Sequence, residues 1–380
     1  MDRGTWFGCL NLIAVWLLFG LAAALALVFV AIVFFAAALL CQKFLNENHG
    51  GLRRVAQVVL YTSVGMTFIT YKFWQDPMAD LAQEIGLGVA LHGFAEPVSG
   101  VSTILQTLAF SYVALRVIDF LRAAFAGERI VNPLALSGFL VPFFMSPSGP
   151  VNEYEVHLEM NEREPSPPTV GSFIDSIYVI VLGYFLKFVV ATSFSLFFVG
   201  VNGSWPMNNL IDTAVFLTFV FFEFSGYSLI AFGVGMLLGV PTPMNFNRPY
   251  LSTTFTEFWS RWHISLGSFV RRTFYFPIRL SLTRWFRPAS SNRIAIHSIN
   301  LVALLVPFAF VGLWHRFTWA FLFWGMSLAV MVAVETVFRE EILPRTGLSL
   351  PRWASAPLGM AYTLAMVVIT LQIAAVDFAS

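Results

Sequence analysis

Charged residues are scarce in this chain of 380 residues: they make up 11% of the sequence, against a hydrophobic fraction of 58%. An ordinary soluble domain carries about 25% charged residues, so this chain has too few to surround a water-soluble core. The high hydrophobic fraction also excludes an intrinsically disordered chain. The only cysteines, Cys9 and Cys41, lie in or beside apolar runs, which excludes a disulfide-framed secreted domain. The composition therefore predicts an integral membrane protein.

Long apolar runs fill most of the sequence. A helix needs about 20 apolar residues to cross the hydrocarbon core of a bilayer. The first run, 6–40, fits either one tilted helix or two shorter halves broken near Gly20. Further spans are predicted at about 55–74, 101–121, 173–200, 210–239, 296–314, 317–338 and 357–376. The pattern predicts an all-α polytopic membrane protein with about eight transmembrane helices, in a single integral membrane domain over 1–380.

Shorter and more polar stretches add re-entrant and interfacial helices to this prediction. The run 134–145 is too short to cross and is predicted to be re-entrant or interfacial. The stretch 248–293 holds eight arginines, interleaved with aromatic residues, against one acid. Such a pattern is typical of amphipathic helices at a membrane interface, and nucleic-acid binding is not indicated. The positive-inside rule places 41–54, 116–172 and 240–295 in the cytoplasm and both termini outside.

Two ionisable residues lie inside predicted spans. Polar groups in a bilayer are costly, so Lys187 and Glu223 are functional candidates by default. One interpretation is an ion pair that fixes helix packing, and the other is the path of a transporter or channel. The six histidines show no His-x-x-x-His spacing, so no metal site is predicted.

Two stretches of sequence carry the chemistry. The first contains Asn245-Phe-Asn-Arg-Pro-Tyr250 and Glu257-Phe-Trp-Ser-Arg-Trp-His-Ile-Ser-Leu266, and the second contains Gly312-Leu-Trp-His315 followed by Trp324-Gly325. They resemble the membrane-bound O-acyltransferase family (MBOAT), in the branch that acylates alginate and teichoic acid. The resemblance defines a core over 101–338, preceded by variable helices over 1–100 and followed by a short C-terminal helix over 339–380.

The resemblance implies an activity and a location. Family members move an acyl group, in this branch an acetyl group most often, from a cytoplasmic thioester to a hydroxyl group. The donor is acetyl-CoA or a carrier-protein thioester, and no tightly bound cofactor is expected. The implied acceptor is an envelope or secreted polysaccharide, reached with a partner protein at the outer face. The chain would then be a multi-pass protein of the bacterial cytoplasmic (inner) membrane.

The resemblance also assigns roles to two histidines. His315 matches the family's catalytic histidine, and His263 matches a second active-site residue of this branch. The chemistry is consistent, because a positioned imidazole can take the proton of a weakly nucleophilic alcohol as it attacks a thioester. The residues expected to hold the donor or wall its tunnel are Arg261, Trp262, Asn247, Arg271, Tyr275, Trp314, Trp319 and Glu223. Arg316 stands where the branch has glycine, which keeps a catalytically inactive membrane scaffold as an alternative.

Overall fold

The computed structural model describes residues 2–46, 50–75, 110–146, 148–162, 169–199, 209–347 and 351–379. Within these ranges the regular structure is helical, and extended pairing is limited to an isolated bridge between Phe246 and Trp262. The predicted all-α class is confirmed. The chain divides into two compact units, Met1–Leu182 with Tyr227–Pro243 and Gly183–Gly226 with Met244–Ser380.

The helices follow one another with short connections. In the first half of the chain they are α1 (Arg3–Phe19), α2 (Leu21–Asn46), α3 (Gly50–Gln75), α4 (Phe110–Ala126), α5 (Pro133–Leu140), α6 (Tyr154–Glu162), α7 (Val170–Tyr184) and α8 (Thr192–Val199). In the second half they are α9 (Leu210–Leu238), α10 (Phe255–Arg261), α11 (Ile264–Val270), α12 (Phe276–Phe286), α13 (Arg293–His315), α14 (Trp319–Val337), α15 (Leu343–Thr346) and α16 (Arg352–Ala379). π-Helical turns lie at Phe185–Ala191, Arg271–Tyr275 and Phe338–Ile342.

Six helical stretches in the described residues are long and apolar enough to cross a membrane. They are Leu21–Leu40, Val170–Phe198, Leu210–Leu238, Arg293–His315, Trp319–Thr346 and Ala354–Ala375. Each overlaps a span predicted from the sequence. The predicted span 55–74 lies in α3, which is not among the six, and 101–121 is described only from Phe110 onward. The count of about eight and the orientation of the spans stay predictions, and residues 76–109 lie outside the described ranges.

The first apolar run is divided at Gly20. This residue has φ +90°, a conformation that side chains rarely adopt, and it separates α1 from α2. The interpretation of 6–40 as two halves is therefore the right one. The run 134–145 forms the eight-residue helix α5 and a 3₁₀ turn at Phe143–Met145. Its helical part is largely buried within the first unit, as a re-entrant segment requires.

Helices α13 and α14 form a tight antiparallel hairpin in the second unit. Gly312 and Gly325 allow the close approach: a Cβ at Gly312 would lie 2.1 Å from the carbonyl oxygen of Phe321, and one at Gly325 2.1 Å from that of Phe308. Small residues at such crossings let backbones meet within a bilayer. Thr318 caps α14 by accepting from the Phe321 N–H at 3.4 Å. The hairpin turn thus fixes the end of α13, where His315 lies.

Candidate active site

His263 occupies an unusual backbone position. It has φ +46° and lies directly before α11, in the left-handed region that non-glycine residues adopt only when the surroundings hold them there. The buried Asn245 supplies that support from both its carbonyl groups. Its backbone oxygen accepts from the Ile264 N–H at 2.9 Å, and its Oδ1 accepts from the Ser265 hydroxyl at 2.6 Å. Asn245 therefore clamps the turn that carries His263.

The helix that leads into this turn is held by a carboxylate. Glu335 of α14 accepts the Phe255 N–H at 2.8 Å through Oε1 and the Thr256 N–H at 2.9 Å through Oε2. These are N–H groups at the start of α10, which have no partner within the helix, and the helix dipole favours an anion there. The Thr256 hydroxyl adds a third hydrogen bond to Oε2 at 2.7 Å. Glu335 therefore ties α10 to α14.

Both candidate catalytic histidines line one cavity of about 740 Å³ in the second unit. His263 is buried, whereas His315 is exposed and ends α13. The cavity is lined mainly by apolar side chains of α9, α13, α14 and α16. Its polar lining side chains include Arg271, Tyr275, His297, Asn300 and Arg316. A large apolar cavity with a few convergent polar groups is the usual form of a small-molecule site.

Aromatic rings surround both imidazoles. The ring centroid of His263 lies 4.8 Å from that of Phe224 and 6.1 Å from that of Trp314. The His315 ring lies 4.9 Å from Trp314 and 5.5 Å from Trp324. Trp314 therefore lies beside both imidazoles. Such walls exclude water, which would otherwise hydrolyse a reactive ester or thioester.

The electrostatics favour an uncharged His263. Burial, reinforced by the nearby His315, lowers the pKa of His263 to about 3, against an ordinary value of 6.5. The imidazole is thus neutral at physiological pH and keeps a free lone pair. Among the described residues, the Nε2 atom of His263 has no hydrogen-bond partner. An unpaired, neutral imidazole nitrogen in a cavity is suited to accept a hydrogen bond from a hydroxyl group.

The sequence matches the profile of the membrane-bound O-acyltransferase family over residues 22–370. The chain belongs to this family. Among its relatives, the teichoic acid D-alanyltransferase of Bacillus subtilis (strain 168) is 24% identical over 263 residues, which cover 66% of this chain and 64% of that protein. A probable alginate O-acetylase of Azotobacter vinelandii is 26% identical over 267 residues, covering 67% and 49%. A peptidoglycan O-acetyltransferase of Helicobacter pylori (strain ATCC 700392 / 26695) is 24% identical over 266 residues, covering 62% and 48%. The chain thus spans about half to two thirds of the length of these relatives.

Five of the residues predicted for the site line the cavity of this MBOAT member. They are His263, His315, Trp262, Arg271 and Tyr275. Trp314 is buried next to both histidines, behind the lining side chains. The structure thus brings together the histidines, one arginine and the aromatic residues of both motifs.

The other predicted residues lie apart from the cavity lining. Arg261 pairs with Glu257 of the same helix at 2.7 Å, and Asn247 is exposed. Trp319 is 67% exposed at the start of α14. Glu223 forms an ion pair with Lys187, which agrees with the packing interpretation of these two residues. The lining of the cavity includes neither member of that pair, so it gives no support to a transport path through them.

Several residues of the site were not singled out from the sequence. Trp259 and Trp324 line the cavity, and among the described residues the Nε1 of Trp259 has no hydrogen-bond partner. Both tryptophans stand within the quoted motifs, and that is the signal that would have found them. Asn245 also stands in a motif, but its role depends on the left-handed turn at His263, which the sequence does not reveal.

A cluster of His297, Glu340 and Glu341 bears on the prediction that there is no metal site. Their potential ligand atoms lie within 4.8 Å of one another. However, Arg293 contacts both carboxylates, at 2.9 Å and 2.5 Å, and Arg345 contacts Glu341 at 3.1 Å. These arginines already neutralise the acids, so the group is an ion-pair network and does not call for a cation.

Proposed function

We propose that the protein is a membrane-bound O-acyltransferase that moves an acyl group from a cytoplasmic thioester to a hydroxyl group of an envelope or secreted polysaccharide. The observation that supports this most strongly is the meeting of His263 and His315, from separate motifs, in one cavity. The family match and the names of the relatives agree with it.

His315 is the proposed general base. It is exposed at the end of α13, where a hydroxyl group can reach its ring, whereas His263 is buried beside it. In the reaction the hydroxyl oxygen attacks the thioester carbonyl, the C–O bond forms and the C–S bond breaks. The imidazole takes the hydroxyl proton and returns it to the leaving thiolate. A positioned base of this kind contributes about 10²- to 10⁴-fold to the rate.

His263 serves a different purpose in this proposal. Because its pKa is lowered to about 3, it stays neutral and adds no positive charge beside the base. Its Nε2 lone pair accepts a hydrogen bond from the substrate and orients it. Proton transfer by His315 and orientation by His263 together account for two histidines at one site.

The remaining polar lining supports an anionic donor. Arg271 and Tyr275 lie on the π-helical turn that follows α11, and both line the cavity together with His297 and Asn300. Arg279 donates to Asn300 Oδ1 at 2.7 Å, which holds the amide in place. Arginine binds phosphate groups well, as in coenzyme A or a phosphopantetheine carrier. The membrane-facing predictions place this stretch at the cytoplasmic side, where such donors occur.

The test compares cells that make the wild-type protein with cells that make His315→Ala. Ester-linked acyl groups on envelope glycans are released by mild alkali and measured by mass spectrometry. We expect the acyl groups to disappear in the variant, with equal protein levels in the membrane and an unchanged melting temperature in detergent. Trp285→Ala, at a side chain 82% exposed on α12, serves as the control and should leave the esters unchanged. Unchanged esters in His315→Ala would refute the proposed role of this residue.

A further inference from the structure

The cavity follows one face of α13 along most of its length. The lining residues of this helix recur at helical spacing: His297, Asn300, Leu304, Pro307, Phe308, Val311 and His315. At a rise of about 1.5 Å per residue, the stretch from His297 to His315 extends about 27 Å. The cavity is therefore an elongated channel, far longer than a single acetyl group.

One side of the channel is an apolar wall. We use this name for Phe216, Leu217 and Val220 of α9, Leu328 and Val332 of α14, and Val367 and Leu371 of α16. Leu217, Leu328, Val332 and Val367 also belong to one hydrophobic cluster of buried residues. The wall presents hydrocarbon alone to the interior. A pantetheine arm has amide groups that need hydrogen-bond partners, and these are available at the opposite part of the lining, around Asn300 and Tyr275.

The volume exceeds what a small acyl group fills. An apolar cavity of about 150 Å³ holds a benzene molecule, and an acetyl or alanyl group is smaller than benzene. The present cavity has about 740 Å³. A small acyl group at His315 would leave the apolar wall without contacts, whereas an alkyl chain would fill it. Because burying methylene groups is favourable, the wall is a source of binding energy for such a chain.

We propose that the apolar wall binds the alkyl chain of a fatty acyl thioester, so that this protein transfers a medium- or long-chain acyl group in place of acetyl. The proposal rests on the proposed function, since it names the donor class of the same site. The reaction keeps the same balance: the acyl C–S bond breaks, the ester C–O bond forms, and the hydroxyl proton passes through His315 to the thiolate. An alkyl chain can also come from a lipid acceptor, and the experiment separates the two sources.

The first experiment measures binding, which does not depend on knowing the acceptor. The full chain, as wild type and as His315→Ala, is placed in lipid nanodiscs, and labelled octanoyl-CoA is displaced by acetyl-CoA, octanoyl-CoA or palmitoyl-CoA. Each buried methylene contributes about fourfold in affinity, so we expect octanoyl-CoA to bind at least about tenfold more tightly than acetyl-CoA. Equal affinities would overturn the proposal and leave the proposed function intact. A loss of glycan esters in His315→Ala with equal affinities would thus identify a short-chain acyltransferase.

A matched pair of variants places the chain in the channel. Val332 lines the apolar wall, whereas Val334 of the same helix is 57% exposed on the outer side. Val332→Phe should reduce the preference for octanoyl-CoA over acetyl-CoA at least about fivefold by filling the space. Val334→Phe adds the same ring outside the cavity and should leave the preference unchanged. Equal effects of the two substitutions would overturn the proposal.

Octyl glucoside tests the other source of an alkyl chain, because it carries a sugar hydroxyl in place of the thioester. If the wall holds the acyl chain of the donor, octyl glucoside should compete no better than glucose for binding of octanoyl-CoA. Efficient competition by octyl glucoside, sensitive to Val332→Phe, combined with no preference for octanoyl-CoA over acetyl-CoA, would assign the wall to a lipid acceptor and refute the donor proposal.

Discussion

Two buried histidines, one in each compact unit, look alike in chemistry and differ in placement. His157 and His263 both lie in apolar surroundings that lower their pKa values, to about 4 and about 3. Each lines a cavity, of about 460 Å³ for His157 and 740 Å³ for His263. Among the described residues, neither Nε2 atom has a hydrogen-bond partner. Burial and a neutral imidazole therefore do not mark a catalytic histidine.

The backbone and the neighbours separate the two. His157 lies within the regular helix α6, donates to the backbone of Ala135, and packs 5.5 Å from the ring of Phe139. His263 lies in a left-handed turn held by Asn245 and interacts electrostatically with His315. An ordinary helical position requires no compensation, whereas a strained one persists only where surrounding contacts hold it. The comparison indicates packing for His157 and chemistry for His263.

The largest expected difference is in acyl transfer after matched substitutions. His263→Gln should reduce transfer by about 10²-fold or more, because the amide does not reproduce the imidazole acceptor in the cavity. His157→Gln should leave transfer within about twofold of the wild type once protein levels are equalised. Ester-linked acyl groups per unit of membrane protein measure both. A transfer defect confined to His157→Gln would reverse the assignment of the two residues.

A smaller effect is expected from the clamp that holds His263. Asn245→Ala removes the acceptor for the Ser265 hydroxyl and leaves a buried donor unsatisfied, at a cost of about 1–3 kcal/mol in stability. Because the turn loosens, kcat should fall about tenfold with little change in the KM for the thioester. Steady-state kinetics in nanodiscs and thermal unfolding measure the two effects. Asn245→Asp retains the acceptor oxygen and should recover most of kcat, and failure of this recovery would argue against a positioning role.

The smallest effect is on the pH dependence of stability. Both histidines have folded pKa values below the ordinary 6.5, so between these values the unfolded chain binds more protons. Stability therefore rises with pH and is lost on acidification from about pH 6.5 toward pH 3, by up to about 1.4 kcal/mol per pH unit for each histidine. His157→Gln and His263→Gln should each flatten this dependence, measured by thermal unfolding in detergent from pH 4 to 7. An unchanged slope in either variant would show that its histidine is not buried in the neutral form.

The sequence predicts the helical class and the motifs well because both depend on local patterns. The six apolar stretches and the break at Gly20 follow from run length and from a residue without a side chain. The residues around His263 show where local pattern stops being informative. Trp262 lines the cavity, but its neighbour Arg261 contacts Glu257, because successive residues of a helix point about 100° apart. Which direction faces the cavity depends on the packing of α10, and that is set by the distant Glu335.

The exposed Trp319 gives the same lesson at the second motif. It follows the Gly-Leu-Trp-His sequence closely and is aromatic, so the sequence favours a place in the tunnel wall. The structure puts it on the outside of α14, whereas Trp324 lies near His315. Aromatic residues near membrane interfaces also serve as anchors in the headgroup region. Composition alone does not distinguish an anchor from a wall.

The reciprocal contact of Gly312 and Gly325 makes the α13–α14 hairpin a fixed ruler for the site. Each glycine receives a backbone carbonyl of the opposite helix, so the spacing of the two axes is set by main-chain atoms, which have no rotamers to exchange. His315 lies less than one helical turn beyond Gly312, and its distance from α14 is inherited directly from this contact. A single methyl group at either glycine would wedge the helices apart and carry the imidazole with them. The reach of the base is therefore calibrated by two residues that have no functional groups at all.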